Sequence, residues 1–202
     1  MSERTQRFEA AIEHLDAANR QDPNTESFKG EDHPKELLYA QRMTHWLEHL
    51  APDASEPLRL AARCQHIERW KIPRSRYPRD RVGYLRWRTE LYGFHAETAG
   101  GILREVGYDE PTVERVQGLL RKQHLKTDPE MQLLEDVICL VFLESSFSDF
   151  AKEHPEEKMV GIIRKTWRKM SPRGRQMALE LDLSEPDRTF IEKAVGTGAD
   201  AE

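Results

Sequence analysis

The chain has 202 residues, a formal net charge of -5 and charged side chains at 33% of its positions, which predicts a water-facing globular protein with a sizeable core. It contains no run of 18 apolar residues and no apolar signal core near its amino terminus, so we expect a cytoplasmic protein without a membrane span. The negative net charge argues against a dedicated nucleic-acid-binding protein. Cys64 and Cys139 lie in apolar helical patterns and are expected to be buried free thiols.

Helical periodicity dominates the chain, and strand signals are nearly absent. The first helix is expected over residues 5–19, and a polar loop that contains Gly30 is expected to follow it up to residue 34. Further helices are expected over residues 35–50, 55–70, 81–106, 110–124, 128–150 and 155–170, with two shorter ones from residues 171 and 184. The pattern therefore predicts an all-α bundle of about nine helices in one domain, residues 1–195, with a frayed tail at 196–202.

An arginine-rich segment joins two of these helices. Residues 71–88 contain seven basic side chains against one acid, Asp80, interleaved with Tyr77, Tyr84 and Trp87. Guanidinium groups suit phosphate, and aromatic faces suit the ring of a base. We expect this segment to contact an anion or a nucleotide, and RNA contact is a weaker alternative. The other interpretation is a connecting loop with packed aromatic rings and solvated arginines.

Three segments carry the candidate chemistry. Residues 60–67 read LAARCQHI, residues 94–108 read FHAETAGGILREVGY, and residues 133–140 read LLEDVICL. An ionised carboxylate such as Asp136 is costly in an apolar helix unless it has a partner. That partner could be a metal, His66, His95 or Lys122, or Asp136 could belong to a purely structural pair.

With these segments, residues 39–144 resemble the HD-domain phosphohydrolase superfamily. The resemblance implies an HD-like core over about residues 35–150, followed by C-terminal helices over 155–195. It also implies a divalent ion (Mn, Fe, Mg or Zn) held by His66 and Asp136, where it would activate water for attack on phosphorus. His95, Glu135 and Lys122 would take catalytic roles. The substrate would be a phosphorylated small molecule or a nucleotide.

The HD pattern is incomplete in this chain. The Asp expected after His66 is Ile67, and the first His of the pattern falls on Tyr39. An Ile side chain cannot bind a cation, and the nearby residues His45, Glu68 and Glu135 are poor substitutes. Gln123 and His124 compete for one further position of the pattern. The alternative function is therefore a non-catalytic HD-fold protein that binds an anionic ligand or a protein partner.

The surroundings of His66 favour an anion. Arg63 and Arg69 are its helical neighbours at three residues on either side, and the arginine-rich segment follows directly. The expected ligand is a small anionic or phosphorylated molecule. The predicted anion-binding residues are Arg63, Arg69, Arg74, Arg76, Tyr77 and Arg81.

A second resemblance extends over almost the whole chain. Four segments carry it: ELLYAQRMTHWL, AARCQHIERWKIPRSRYP, GYLRWR and RKTWRKMS. They resemble a family of uncharacterised bacterial and fungal proteins known only as a domain of unknown function. This resemblance implies no activity.

Overall fold

In the computed structural model, residues 3–125, 127–147 and 155–196 are described. These residues are mainly helical, which confirms the predicted all-α class. The chain divides into two compact units, residues 1–127 and 128–202. No run of Gly or Ser marks the division, and each unit is described separately below. Within the described residues, no helix is long and apolar enough to cross a membrane.

In its described residues, the first unit contains five α-helices and one short hairpin. The helices are α1 (Glu3–Asn19), α2 (Lys35–Leu50), α3 (Glu56–Arg63), α4 (Arg81–Glu105) and α5 (Glu110–Leu120). Helix α3 packs against α1, α2 and α5, while α4 packs against α1 and α5. Leu60, Ile67, Leu103 and Leu119 are fully buried in the core of this unit. Each buried side chain of this size contributes about 1.5–3 kcal/mol to folding.

The second unit contains four α-helices in its described residues. They are α6 (Pro129–Val141), α7 (Glu156–Lys169), α8 (Pro172–Leu179) and α9 (Glu185–Gly196), and a π-helical turn, Phe142–Ser146, continues α6. Helix α6 packs against α7 and α8, and α7 also packs against α9. The core of the unit is built from Leu134, Val137, Ile163 and Ile191.

The helix starts agree closely with the sequence patterns because side chains fix them. Ser55, Asp80, Asp109, Asp128 and Ser171 each accept a hydrogen bond from a backbone N–H of the first helical turn. These caps satisfy donors that have no partner within the helix. Most of the caps are followed by a Pro in the first turn, where its missing N–H costs nothing.

The prediction of a polar loop before α2 is wrong in part. Residues Thr25–Phe28 and Glu31–Pro34 form two antiparallel strands, β1 and β2, which pair Phe28 with Glu31. Lys29 and Gly30 join the strands, both with positive φ (53° and 86°), as a tight hairpin turn requires. The strands are largely exposed and polar, so they lack the alternating pattern that signals a strand.

Two helices are shorter than predicted. Helix α3 ends at Arg63 rather than near residue 70, and α5 ends at Leu120 rather than near residue 124. Past these ends, Glu68, Lys122 and His124 adopt positive φ values of 52°, 56° and 57°, which a right-handed helix cannot include. Of the helix predicted to continue to residue 150, the last three residues lie outside the described part of the chain. So does nearly all of the predicted tail, residues 197–202.

Candidate anion-binding site

His66 is the centre of the candidate site. It lies in the turn that follows α3, and 22% of its side chain is exposed. Its ring stacks on the ring of Tyr39, with 3.9 Å between the centroids and 12° between the planes. Tyr39 occupies the position at which the HD resemblance expects a His. Here it fixes the orientation of the imidazole by covering one face.

Glu36 lies one helical turn before Tyr39 on α2 and reaches the same histidine. Its Oε2 atom lies 3.3 Å from Nδ1 of His66. The carboxyl group is buried, and burial raises the pKa of Glu36, an effect that the positive charge of Arg69 opposes. The carboxyl group is therefore held against the ring and away from water.

Arg69 lies against the same imidazole. Its Nη1 atom is 3.2 Å from Nδ1 and 3.3 Å from Nε2 of His66. Because the two distances are nearly equal, this nitrogen sits beside the ring rather than along one lone pair. The guanidinium carbon also lies 5.2 Å from the ring centroid of Trp87, a favourable cation–π position. The Arg69 guanidinium is therefore positioned by contacts with both His66 and Trp87.

His95 lies on α4, 6.0 Å from His66 between ring centroids, and is only 2% exposed. Its Nδ1 atom is 2.8 Å from the carbonyl oxygen of Ile67. A carbonyl can only accept, so Nδ1 carries the hydrogen and Nε2 carries a lone pair. Among the described residues, Nε2 has no hydrogen-bond partner. Burial is the main cause that lowers the pKa of His95 to about 3.

Four basic side chains surround His66, each contributed by a different element. They are Lys35 of α2, Arg69 of the turn after α3, Arg88 of α4 and Lys122 of the turn after α5. Burial is the main cause that holds the pKa of His66 well below its usual value, and these four positive charges lower it further. His66 is therefore a neutral imidazole in a positive field.

Tyr92 helps to position two of these cations. The Arg88 guanidinium lies 5.3 Å from the centroid of the Tyr92 ring, and Nζ of Lys122 lies 5.7 Å from it. Arg88 also donates to the hydroxyl groups of Tyr92 and Tyr84. The aromatic rings therefore hold positive charge near His66 without neutralising it.

Lys122 reaches the site from a strained turn. Its φ is 56°, and that of His124, two residues on, is 57°. The left-handed region costs a residue with a Cβ atom roughly 1–2 kcal/mol. Backbone strain of this kind is found preferentially at functional positions. Here it accompanies the placement of a lysine beside Tyr92.

The comparisons with known proteins identify a family but no activity. The family model described as Domain of unknown function (DUF4202) matches residues 9–191. The chain belongs to the DUF4202 family. The match includes every residue of the candidate site and confirms the predicted relation to a family of unknown function. Neither the comparison with curated proteins nor that with solved structures found a match. The HD resemblance and the spread across bacteria and fungi stay predictions.

Of the six predicted anion-binding residues, Arg69 lies at His66. Arg63 holds another partner: its Nε and Nη2 atoms lie 2.7 and 2.6 Å from the two carboxylate oxygens of Asp16. Arg74 donates to the carbonyl oxygens of Tyr77 and Pro78, at 3.0 and 2.7 Å. These two guanidinium groups therefore donate hydrogen bonds to acceptors of the protein itself rather than to a free anion.

The other three predicted residues lie on the outer surface of the arginine-rich segment. Tyr77 hydrogen-bonds the carboxylate of Glu90, which raises the pKa of the phenol. Arg76 and Arg81 are exposed. The structure does not associate these three side chains with His66, and their anion-binding role stays a prediction.

Asp136 and Glu135, predicted as a metal ligand and a catalytic carboxylate, lie on α6 in the second unit. Asp136 accepts hydrogen bonds from the backbone N–H of Ser171 (2.8 Å), from its hydroxyl (2.5 Å) and from the amide of Gln132 (3.1 Å). Glu135 is ion-paired with Lys169 at 3.3 Å. His66 belongs to the first unit. Each of the two predicted metal ligands, His66 and Asp136, therefore contacts residues of its own unit.

A metal centre is not apparent in the part of the chain that the structure describes. Within it, no group of three or more His, Cys, Asp and Glu side chains is arranged to hold an ion. Ile67, at the position where the HD resemblance expects a ligand Asp, is fully buried in the core. The donors around His66 are mostly cationic, and cations favour an anion over a metal.

Proposed function

We propose that this protein binds a small phosphorylated anion at the cluster of basic side chains around His66. The observation that carries the proposal is the concentration of positive charge there. Lys35, Arg69, Arg88 and Lys122 all act on one imidazole that is mostly buried. The carboxyl group that faces His66, that of Glu36, is buried. Four such cations from four elements leave an excess of positive charge that a bound phosphate would offset.

The chemistry of the side chains suits phosphate. Guanidinium groups donate paired hydrogen bonds to phosphate oxygens, and an ammonium group adds a compact charge. A neutral His66 can donate one hydrogen bond or accept one from a protonated phosphate oxygen. The partly buried position strengthens each of these interactions relative to open water. Tyr92 and Trp87 hold Arg88 and Arg69 in place before a ligand arrives, which reduces the entropy cost of binding.

Ligand-dependent thermal stability tests this proposal. Inorganic phosphate and pyrophosphate are added at constant ionic strength, with chloride as the reference anion. A ligand at about 100 times its Kd stabilises the folded state by roughly 2.7 kcal/mol. We expect phosphate and pyrophosphate to raise the melting temperature, whereas chloride has no effect.

A matched pair of lysine variants shows where the anion binds. Lys122→Gln removes one of the cations near His66, while Lys71→Gln removes an exposed lysine that is paired with Glu68 at 2.6 Å. The stabilisation by phosphate should fall in Lys122→Gln and persist in Lys71→Gln. Equal effects of the two substitutions, or no stabilisation of the unmodified protein, would contradict the proposal.

A second candidate is the metal-dependent phosphohydrolase that the HD resemblance implies. It is supported by the buried Nε2 lone pair of His95, since neutral imidazole is a common ligand for Mn, Fe and Zn. Metal analysis by mass spectrometry, on protein purified without chelator, tests it. About one equivalent of metal that is lost in His95→Asn would favour this candidate. Metal-free protein that takes up none on titration would remove it.

A further inference from the structure

We propose that His66, oriented by Glu36, acts as a general base that activates water for attack on the phosphorus atom of a phosphate monoester. This inference rests on the proposed function, because it places the phosphate at the same site. It adds a reaction and assigns two roles. His66 would be the catalytic residue, and Glu36 would be a positioning residue that acts through it.

The position of Glu36 suggests which ring nitrogen is the base. Oε2 of Glu36 lies 3.3 Å from Nδ1, and we place the hydrogen on Nδ1 and the lone pair on Nε2. A carboxylate that orients an imidazole in this way is a recurrent arrangement in acid–base catalysis. Such hydrogen bonds are often long before a ligand binds and shorten in the complex.

The surroundings of the ring suit that role. Tyr39 covers one face of the ring at 3.9 Å and so prevents it from turning. The remaining 22% of the side chain is open to solvent, which gives a water molecule access. Arg69 lies 3.3 Å from Nε2, so a phosphate that is bound by this guanidinium would be close to the same nitrogen.

The backbone next to His66 is fixed as well. Nδ1 of His95 donates to the carbonyl oxygen of Ile67 at 2.8 Å, and the N–H of Glu68 donates to the side chain of Asn19 at 3.0 Å. These bonds tie the two residues that follow His66 to α4 and α1. A base that is held in this way loses little entropy when the reaction geometry forms.

The proposed step is balanced without any further reactant. Nε2 of His66 takes one proton from water as the water oxygen forms a bond to phosphorus. The bond from phosphorus to the ester oxygen breaks, and its electron pair stays on that oxygen. The leaving oxygen takes a proton from solvent on the opposite side of phosphorus, and the imidazolium releases its proton to solvent. The products are an alcohol and inorganic phosphate, and His66 returns to its neutral state.

Inorganic phosphate alone can report this step, because a phosphate hydroxyl can take the place of the ester oxygen. The same proton transfers would then exchange phosphate oxygen with solvent water. The experiment incubates the whole protein with ¹⁸O-labelled phosphate in ordinary water and EDTA, and follows loss of the label by ³¹P NMR. Phosphate affinity is measured on the same samples by calorimetry. We expect exchange above that of the buffer.

Three substitutions separate the roles. His66→Asn should reduce the exchange rate at least 100-fold, the lower range for loss of general-base catalysis. Glu36→Gln should reduce the rate 10-fold or more, change its pH profile and leave the Kd for phosphate within about threefold. Glu68→Gln, which alters another carboxylate of the same turn, should leave both quantities unchanged. Added imidazole should restore part of the exchange to His66→Ala, which a merely structural role for His66 does not predict.

The outcomes distinguish this inference from the proposed function. Phosphate that binds without exchange would overturn the inference and leave anion binding in place. Exchange that survives in His66→Asn, or that occurs only in a parallel sample without EDTA, would overturn it too. Failure of phosphate to bind at all would remove the proposed function and the inference together.

Discussion

The Nδ1 atom of His95 lies 2.8 Å from the carbonyl oxygen of Ile67. In the HD resemblance, the side chain at position 67 should be a metal-binding carboxylate. Here the side chain is buried in the core, and the peptide carbonyl of the same residue fixes a histidine instead. Burial keeps His95 neutral by lowering its pKa to about 3, although the bond to the Ile67 carbonyl acts in the opposite direction and raises the pKa. This relationship leads directly to a pH dependence.

In His95→Asn, the free energy of unfolding should decrease less as the pH falls than it does in the unmodified protein. In the unfolded chain, His95 binds a proton below about pH 6.5, whereas in the folded protein it does so only near pH 3. Its contribution to stability is therefore complete above pH 6.5 and is lost as the pH falls from 6.5 towards 3. The slope is about 1.4 kcal/mol per pH unit for each such group.

Urea unfolding at pH 7 and pH 5 measures this effect. His95→Asn should lose that share of the pH dependence, while His124→Asn, at an exposed position, should keep it. The other titratable and charged groups that act on His95 are His66, Arg69 and Glu36, which are the same in both variants. The raised pKa of Glu36 acts in the opposite direction and favours the folded state in acid. An unchanged slope in His95→Asn would contradict the buried neutral histidine.

Lys122→Gly should stabilise the protein and weaken phosphate binding. Lys122 has a φ of 56°, and removal of its Cβ atom relieves about 1–2 kcal/mol of strain. The greater conformational entropy of glycine in the unfolded chain lowers the free energy of unfolding by about 0.5–1 kcal/mol. We therefore expect a small net gain of stability. The affinity for phosphate should fall because a cation near His66 is lost.

His124→Gly is the matched control for that variant. His124 has nearly the same φ, 57°, and is exposed, so its replacement should give a similar gain of stability. It should not change phosphate affinity. Thermal unfolding and calorimetry on both variants make the comparison. Equal loss of affinity in the two would show that the shape of the turn, rather than the Lys122 charge, controls binding.

Asp136→Ala should unfold the second unit more easily without affecting phosphate binding. Asp136 is buried and accepts three hydrogen bonds, two of them from Ser171. Its loss removes the acceptor of these half-buried donors, at a cost of about 1.5–3 kcal/mol for each charge-assisted bond. Asp182→Ala, at an exposed position in the same unit, should have little effect. Normal stability of Asp136→Ala together with loss of a bound metal would support the HD interpretation instead.

RNA contact through residues 71–88 stays a prediction that affinity measurements can test. Arg76, Arg79, Arg81 and Arg86 are exposed along this segment. If they bind RNA, the affinity for a single-stranded 20-mer should fall steeply with salt, with a slope of about 0.7 per phosphate contacted. Substituting Arg76 and Arg81 by Gln should reduce this slope and leave phosphate affinity unchanged. Absence of binding at low salt would dispose of the RNA alternative.

The helix starts could be predicted because their signals are local. A capping Ser or Asp, followed by a Pro, determines a start within a few residues, as at Ser55 and Asp128. The ends of α3 and α5 could not be predicted in this way. The chain beyond them includes residues with Cβ atoms in the left-handed conformation, such as Glu68 and Lys122. No propensity identifies such residues, because tertiary contacts hold them there.

The candidate site was predictable only in part, for a similar reason. His66, His95, Arg69 and Lys122 were identified from the sequence, although with other roles in some cases. Glu36 was missed because its partner His66 is 30 positions away in the chain. Its spacing of three residues from Tyr39 on α2 was the available signal. Arg63 was assigned to an anion because nothing local showed that Asp16, 47 residues earlier, is its partner.

Titration calorimetry of inorganic phosphate tests the central claim most directly. Three proteins are compared at one salt concentration: the unmodified chain, Arg69→Gln and Arg76→Gln. Arg69 lies against His66, and Arg76 is an exposed arginine of the same segment. Loss of one charge-assisted contact of about 1.5–3 kcal/mol corresponds to a 10- to 100-fold increase in Kd. We expect this increase in Arg69→Gln and an unchanged Kd in Arg76→Gln. Equal affinities in all three proteins, or no heat of binding in any, would contradict an anion site at His66.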